Sequence, residues 1–310
     1  MLRYVLQRLM MLLVTLWVVI TLTFILMHAI PGDPFTSEKK LPESTIQNLK
    51  AFYGLDKPLL VQYVNYLKNI VVHQDFGPSF KSKTLTVNDY IASNFPVSAQ
   101  LGIQSLLIAL VFGLTLGVIA SLRHNTALDY TAMIIAVLGV SVPNIVLAPI
   151  LINIFAVKLK WFPIAMWGTF AHTVLPSIAL GAHSMAVIAR LMRSNMLEVL
   201  NQDYIRTARS KGLSSFVVVW RHTIRNAILP VITILGPLAA TLLTGTFVVE
   251  QIFGIPGLGK YFVQSVSDRD YPMILGTTIF YSAILITANF LVDIAYGLID
   301  PRIKIGAKGE

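Results

Sequence analysis

Six stretches of this chain are apolar for long enough to cross a lipid bilayer, and that repetition constrains the fold more than any motif does. A hydrocarbon core about 30 Å thick needs roughly 20 apolar residues in helical form. The runs fall at about 9–30, 98–122, 130–156, 172–192, 228–249 and 272–298. The third contains Pro143 and Pro149. Proline inside a span is tolerated where neighbouring helices re-satisfy the freed carbonyls, so a kinked helix packed inside the bundle is expected there. The first run follows Arg3 and Arg8 as a signal peptide would, but it is too long, and "HAIPGDP" offers no small-x-small cleavage site. It reads as a retained first helix.

Composition agrees. The chain has 310 residues, 55% of them hydrophobic and only 13% charged, about half the charged share of a soluble domain. There are no cysteines, which removes disulfides, thiolate nucleophiles and Cys-based metal sites.

The net charge of +9 admits a nucleic-acid reading until the charges are placed. Six spans put both termini on one side. With the termini cytoplasmic, the inner segments carry thirteen basic residues and the two short outer loops only four, Lys158, Lys160, Lys260 and Arg269. The long outer segment 31–97 holds seven Lys against six acids. Lys and Arg accumulate in cytoplasmic loops, so the basic excess is a topology signal and no nucleic-acid partner is expected. Trp161 and Trp167 flank the outer turn between the third and fourth spans and suit an interfacial aromatic belt.

Two segments lie outside the membrane. The outer one, 31–97, opens with the turn "PGDP". "PESTIQNLKAFYG" reads as a short helix closed by Gly54. Asp56 then caps a second helix with Pro58 in its first turn, where Tyr63, Tyr66, Leu67 and Ile70 recur at helical spacing. "DFGPSF" is a turn and "VNDYIAS" a third short helix. This small helical cap serves either as a cover or as a docking surface.

The inner segment runs from Arg190 to Arg225. "DYIRTARSKG" at 203–212 reads as a short cationic helix. Asn201 or Asp203 is placed to cap its start, Gly212 suits a left-handed C′ position, and Arg209 and Lys211 complement the helix dipole. Tyr204, Ile205 and Ala208 share an apolar strip. Ser214 or Ser215 restarts a helix through "FVVVWRHTIRNAI". Three roles fit such a segment: a lipid-headgroup anchor, a charge-biased connector, or a plug for a cytoplasmic partner.

"DYIRTARSKG" followed by "RHTIRNAILP" resembles the cytoplasmic coupling loop of ABC importer permeases, in the form carried by the peptide and nickel branch. The general loop is Glu-Ala-Ala, three residues, Gly, then Ile-x-Leu-Pro. Here Arg206, Thr207 and Ala208 stand where Glu-Ala-Ala would, and Leu229-Pro230 comes several residues late. "HAIPGDP", "YGLDKPLLVQYVNYL", "VEQIFGIPGLGKY" and "DPRI" are similar to segments of the B-type subunit of oligopeptide and dipeptide permeases, and the resemblance covers about residues 1–305.

That resemblance implies one of two homologous permease subunits forming a heterodimeric pore. Two cytoplasmic ABC ATPases would bind below and an extracytoplasmic peptide-binding protein would deliver substrate from above. Asp203, Tyr204, Ile205, Arg206, Thr207, Ala208, Arg209, Lys211 and Gly212 would form the coupling helix seated in an ATPase groove.

Other motifs carry less. "GIPGLGKY" at 254–261 has Gly-x4-Gly-Lys, but Tyr261 replaces the Ser/Thr that would hold Mg²⁺ and no strand precedes it. A compact outer turn using glycines at positive φ is expected. His183 sits near the middle of the fourth span, either hydrogen-bonded to a neighbouring helix or lining a pore. With Ser184 and Asn144 it makes up the candidate translocation path. Glu250, and Asp293 with Asn289, lie near span ends and read as interface residues. No chain of acids crosses a midplane, which counts against a proton-coupled secondary carrier. No catalytic constellation and no cofactor site is found.

The expected protein is therefore an all-α polytopic membrane protein. It has an N-terminal span (1–30), an extracytoplasmic helical segment (31–97), a five-helix permease core (98–298) with a coupling loop at 193–227, and a cytoplasmic tail (299–310). Both termini are expected in the cytoplasm, at the inner membrane. The expected function is ATP-driven import of oligopeptides, with dipeptide, nickel or other small-solute import, or a secondary carrier, as alternatives.

Overall fold

The computed structural model describes residues 2–29, 35, 42–82 and 84–299, with all side chains in those ranges except 2–4, 293 and 295–299. The "PGDP" turn, "DPRI", the cytoplasmic tail and the side chain of Asp293 lie outside the described residues. Within them the chain is helical and the one β feature is an isolated bridge between Pro78 and Thr86.

Helix α1 (Leu2–Ala29) is the first span. Next come α2 (Glu43–Phe52) and α3 (Leu59–Lys68) of the outer segment, the latter widening into a π-turn at Asn69–His73. Helix α4 (Val87–Leu122) has 36 residues, about 54 Å at about 1.5 Å per residue. The expected separate helix at "VNDYIAS" is instead the start of α4. Thr86 and Asp89 close a reciprocal capping box, Asp89 N–H donating to Thr86 Oγ1 at 3.3 Å and Thr86 N–H to Asp89 Oδ2 at 2.8 Å. Nothing terminates the helix after that start, and it runs through Pro96 into the membrane.

The third run breaks into α5 (Ala127–Ser141) and α6 (Asn144–Leu151, continued by a π-turn at Ile152–Lys158), with 115° between them. The kink expected at Pro143 is thus a sharp corner. Pro143 holds extended backbone as the N-cap of α6, and the residue before it, Val142, is pushed out of the helical region. Helix α7 (Phe170–Leu200) is the fourth span and extends past the expected inner boundary.

Two residues later comes α8 (Asp203–Ser210), then α9 (Ser215–Val217), a π-turn at Val218–Ile224 and α10 (Arg225–Ala227). Helix α11 (Leu229–Thr244) leaves this stretch at 49°, with Pro230 in its first turn. The fifth run stops at Thr244, short of the expected boundary, and α12 (Phe247–Phe253), α13 (Leu258–Asp268) and α14 (Tyr271–Ile299) follow. Among the described residues four helices are straight candidate spans, and the two bent pairs bring the number to six.

Helix α7 is the axis of the bundle. It packs mainly on α4, which carries Gly102, Ser105, Ala109, Gly113 and Gly117 at steps of three or four along its buried stripe. A Cβ on Gly113 would sit 2.8 Å from the carbonyl oxygen of Met185, and one on Gly117 2.7 Å from that of Ala189. From the other side, a Cβ on Gly181 would sit 2.7 Å from the Ser105 carbonyl oxygen. Helices in lipid associate through close backbone packing, because burial from lipid gives no hydrophobic gain, and small residues permit that approach. Helix α5 packs on α7 by the same means at Gly139, whose Cβ would meet the Ala182 carbonyl oxygen at 2.9 Å.

Two buried carboxylates organise the outer side. Asp270 begins α14: its Oδ1 accepts from Met273 N–H at 3.3 Å and Phe80 N–H at 3.2 Å, and its Oδ2 accepts from Ser79 Oγ. One side chain therefore caps a span and pins the outer segment to it. Glu250, read from the sequence as an interface residue at a span end, is 1% accessible. Its Oε1 accepts from Ser98 Oγ at 2.6 Å and its Oε2 from Gly259 N–H at 3.1 Å, while Ser98 Oγ accepts from Leu258 N–H at 2.9 Å.

The "GIPGLGKY" turn is thus wrapped round a carboxylate. Gly254 does take positive φ, at 62°, but Gly257 does not, at −94°. Gly257 is needed because a Cβ there would overlap the Glu250 carboxyl, 2.2 Å away. The outer segment rests on α1 through Tyr63, whose hydroxyl lies 2.7 Å from Thr21 Oγ1. Tyr63, Tyr66, Leu67 and Ile70 are the half-buried positions anticipated from their spacing. Asp56 makes no cap; Pro58 occupies the N-cap of α3.

Candidate functional site

The short inner helix α8 is built to stand firm while exposing most of its surface. Its C-terminus is a Schellman turn: Gly212 N–H donates to Arg209 O at 3.0 Å and Leu213 N–H to Ala208 O at 3.3 Å, with Gly212 at φ +79°. Two of the carbonyls left over by the helix, those of Ala208 and Arg209, are thereby satisfied within eleven residues of its start. The N-terminus differs from expectation. Gln202 is the N-cap and makes no side-chain cap, while Asn201 Nδ2 turns back to donate to Leu197 O. Asp203 lies one position further on, in the first turn, where its charge favours the helix dipole. Ser214 restarts the helix, its Oγ accepting from Val217 N–H at 3.5 Å.

One side of α8 is attached. Ile205 is fully buried and Ala208 nearly so, against Val218 and Val199. Burial of an isoleucine contributes about 2 kcal/mol, ample to seat so short a helix on the π-turn at Val218–Ile224, with Val199 of α7 packed alongside. Tyr204 departs from the expected strip: it is exposed, and its hydroxyl accepts from Asn226 Nδ2 at 3.3 Å. Asp203, Arg206, Thr207, Arg209, Lys211 and Gly212 are also exposed. Arg206 and Asp203 form a loose 3.6 Å pair in full solvent, which matters little to stability. The helix thus presents a cationic outer surface and an apolar inner one that grips its own chain.

The base of α7 is itself clamped. Arg193 Nε donates to Asp129 Oδ1 at 2.6 Å and Nη2 to Oδ2 at 2.7 Å, and Asn125 N–H donates to Oδ2 at 3.0 Å. Asp129 is buried, and His124 Nδ1 lies 3.2 Å from its Oδ2. This bidentate pair joins the start of α5 to α7 about two and a half turns above α8. The spans between these residues concealed it: charged positions near inner span ends were counted for topology and not paired.

Helix α7 also has one open face, running past the clamp on both sides. His183, Arg190, Ser194 and Glu198 are exposed and Val187 is half-buried. At about 100° per residue these five fall within a strip about 80° wide. The contrast with the neighbouring helices is chemical. The exposed residues of α4 include Ile103, Leu107, Val111 and Phe112, and those of α5 Ile134, Ile135, Val137 and Leu138. Those faces suit lipid. An Arg facing hydrocarbon costs about 2.5–3.5 kcal/mol, so the open face of α7 suits water or protein.

His183 makes no hydrogen bond among the described residues. Ser184 lies off this strip and is buried. Asn144 is half-buried at the corner between α5 and α6.

Two family models match the chain. One, described as "Binding-protein-dependent transport system inner membrane component", matches residues 113–305. Its N-terminal companion matches residues 1–102. The chain is 56% identical over 307 residues to the dipeptide transport system permease protein DppB of Bacillus subtilis, covering 99% of each. It is 44% identical over 306 residues to the oligopeptide transport system permease protein OppB of Salmonella typhimurium, covering 98% of this chain and all of that one. Among solved structures it is similar to an inward-facing MetNI methionine ABC transporter, with a TM-score of 0.57 at 18% identity, covering 68% of this chain and 96% of that one. An amino acid ABC transporter is similar at a TM-score of 0.53 and 18% identity, covering 67% and 94%. At such identity the likeness is one of fold.

Proposed function

The chain belongs to the family of binding-protein-dependent transport system inner membrane components, the permeases of ABC importers, and we propose that it forms half of a peptide-conducting pore. Peptides are the substrate class because the relatives similar over their whole length carry dipeptides and oligopeptides. The other half is a second, homologous permease subunit. An extracytoplasmic binding protein supplies the peptide, and two cytoplasmic ATPases hydrolyse the ATP. Both termini and α8 face the cytoplasm, a sidedness supported by the excess of Lys and Arg in the inner segments.

The observation that carries this reading is the asymmetry of α8. Ile205 and Ala208 lock it to its own chain, while Arg206, Thr207, Arg209 and Lys211 stand free for a soluble partner. A push on the free side passes through Ile205 and Val199 into α7, and through the Arg193–Asp129 pair into α5. The open face of α7, with His183 at its membrane level, and Asn144 at the α5–α6 corner supply the polar wall of the path.

The chain has no cysteine, so single cysteines report cleanly. Cysteine at Thr207 should react with an impermeant maleimide in inside-out vesicles and be shielded once the ATPases are bound. Labelling from the exterior alone would end the coupling assignment. In proteoliposomes holding both permeases, both ATPases and the binding protein, uptake should require ATP and survive collapse of the proton gradient.

A further inference from the structure

Arg190 is an exposed cation in the helix at the centre of the bundle, and among the described residues no carboxylate pairs with it. The comparison with Arg193, less than one turn away, is instructive. Arg193 has the Nε–Nη2 edge of its guanidinium occupied by Asp129. Arg190 shares the open face of α7 with His183 above and Ser194 below, on the strip unsuited to lipid. Seven residues, about 10 Å along the axis, separate it from His183. Glu198, on the same strip, is two turns further in, about 12 Å along the axis and beyond the reach of a direct ion pair.

We propose that Arg190 is a transit site for the C-terminal carboxylate of the peptide, a deepening of the reading that this chain conducts peptides. Peptides of different sequence share three recognisable groups: backbone amides, a terminal ammonium and a terminal carboxylate. A path that accepts varied side chains has only these to hold. A guanidinium matches a carboxylate bidentately and keeps its charge throughout. It must also be vacant. Arg193 commits the Nε–Nη2 edge of its guanidinium to an internal carboxylate, while among the described residues Arg190 is committed to none. On an otherwise neutral part of the strip, such a cation compensates the one charge that every unmodified peptide carries away from its amino end. His183 and Ser194, hydrogen-bonding groups on either side, let the substrate leave the site in steps.

The test uses the full complex in proteoliposomes, with the binding protein saturated by a tripeptide or by the C-terminal amide of the same sequence. The readout is the ratio of ATP-driven uptake of acid to amide, which does not depend on how much complex assembles. Arg190→Gln should lower that ratio by about tenfold, the worth of one charge-assisted contact, through loss of acid uptake. Arg190→Lys should restore part of it. Arg190→Ala provides a second neutral variant, expected to behave as the glutamine does. A ratio unchanged in both neutral variants, including one in which acid and amide uptake fall together, overturns the assignment. A wild-type complex that moves neither peptide on ATP would overturn the peptide reading itself and this proposal with it.

Discussion

Arg193 grips Asp129 along one edge of its guanidinium, Nε to Oδ1 at 2.6 Å and Nη2 to Oδ2 at 2.7 Å, across 64 residues of chain. The pair lies between the span that forms the bundle axis and the first turn of α5. It gives the inner end of α7 a second anchor, independent of the packing of α8. A load applied to α8 therefore meets a base held at two points, Val199–Ile205 and Arg193–Asp129.

Removing one member of that pair should harm more than removing both. Asp129→Ala leaves a partly buried guanidinium uncompensated, and we expect a loss of about 2–4 kcal/mol, reduced from the fully buried case because Arg193 keeps some solvent. The double variant Asp129→Ala/Arg193→Ala should be more stable than the sum of the singles. Thermal unfolding of the solubilised chain measures the cycle, and strict additivity would show that the pair does not couple.

The α4–α7 seam should reject a single methyl group. A Cβ on Gly117 would lie 2.7 Å from both the Ala189 carbonyl oxygen and Met192 Cβ, and backbone cannot yield cheaply. Gly117→Ala should cost about 1–3 kcal/mol. Gly168→Ala, with open space around the new atom, should stay within about 0.5 kcal/mol of the parent. Equal melting temperatures for the two variants would remove the seam argument.

Gly212 poses the opposite case. Nothing lies within 4 Å of a Cβ built there, so any penalty comes from its φ of +79°. Gly212→Val should strain the turn by about 1–2 kcal/mol and weaken retention of the ATPases in affinity purification. Asn, which tolerates left-handed backbone, should retain them better. A valine variant that co-purifies and transports like the parent would contradict the need for a rigid α8.

On the outer side, Glu250→Ala should strip two donors of their acceptor, Ser98 Oγ–H and Gly259 N–H, in a site closed to water. Each buried donor left bare costs about 1–3 kcal/mol. The 254–259 turn should then become a protease-sensitive site in the otherwise folded chain. Ser98→Ala should loosen the same turn to a smaller degree, since Gly259 keeps its acceptor. Protection of the turn in both variants would show that the carboxylate is not what holds it.

Legibility from sequence varied by element for physical reasons. Helices α1, α7 and α14 were visible because lipid demands long apolar runs. Gly54 and Gly212 closed their helices as expected, since a C′ glycine acts within one turn. The start of α4 was misread because a capping box looks the same whether the helix behind it is seven residues or 36. Glu250 was misplaced because an acid near the end of an apolar run is ordinarily exposed, and its partner Ser98 lies 152 residues away. Ser184 and His183 are adjacent in sequence yet face different surroundings, which only the packing of α7 distinguishes.

By itself the sequence determined which stretches are long and apolar enough to meet a membrane, how the basic residues divide among the segments between them, and where the short cationic helix falls. Those properties arise residue by residue, from transfer into lipid and from bonds within a single turn. Only the tertiary structure decided which face of α7 remains open, that Arg193 is engaged while Arg190 is not, and that Glu250 lies at the heart of the outer turn. In a bilayer both lipid-facing and helix-facing surfaces are apolar, so the pattern along the chain does not separate them; close contact between helices does.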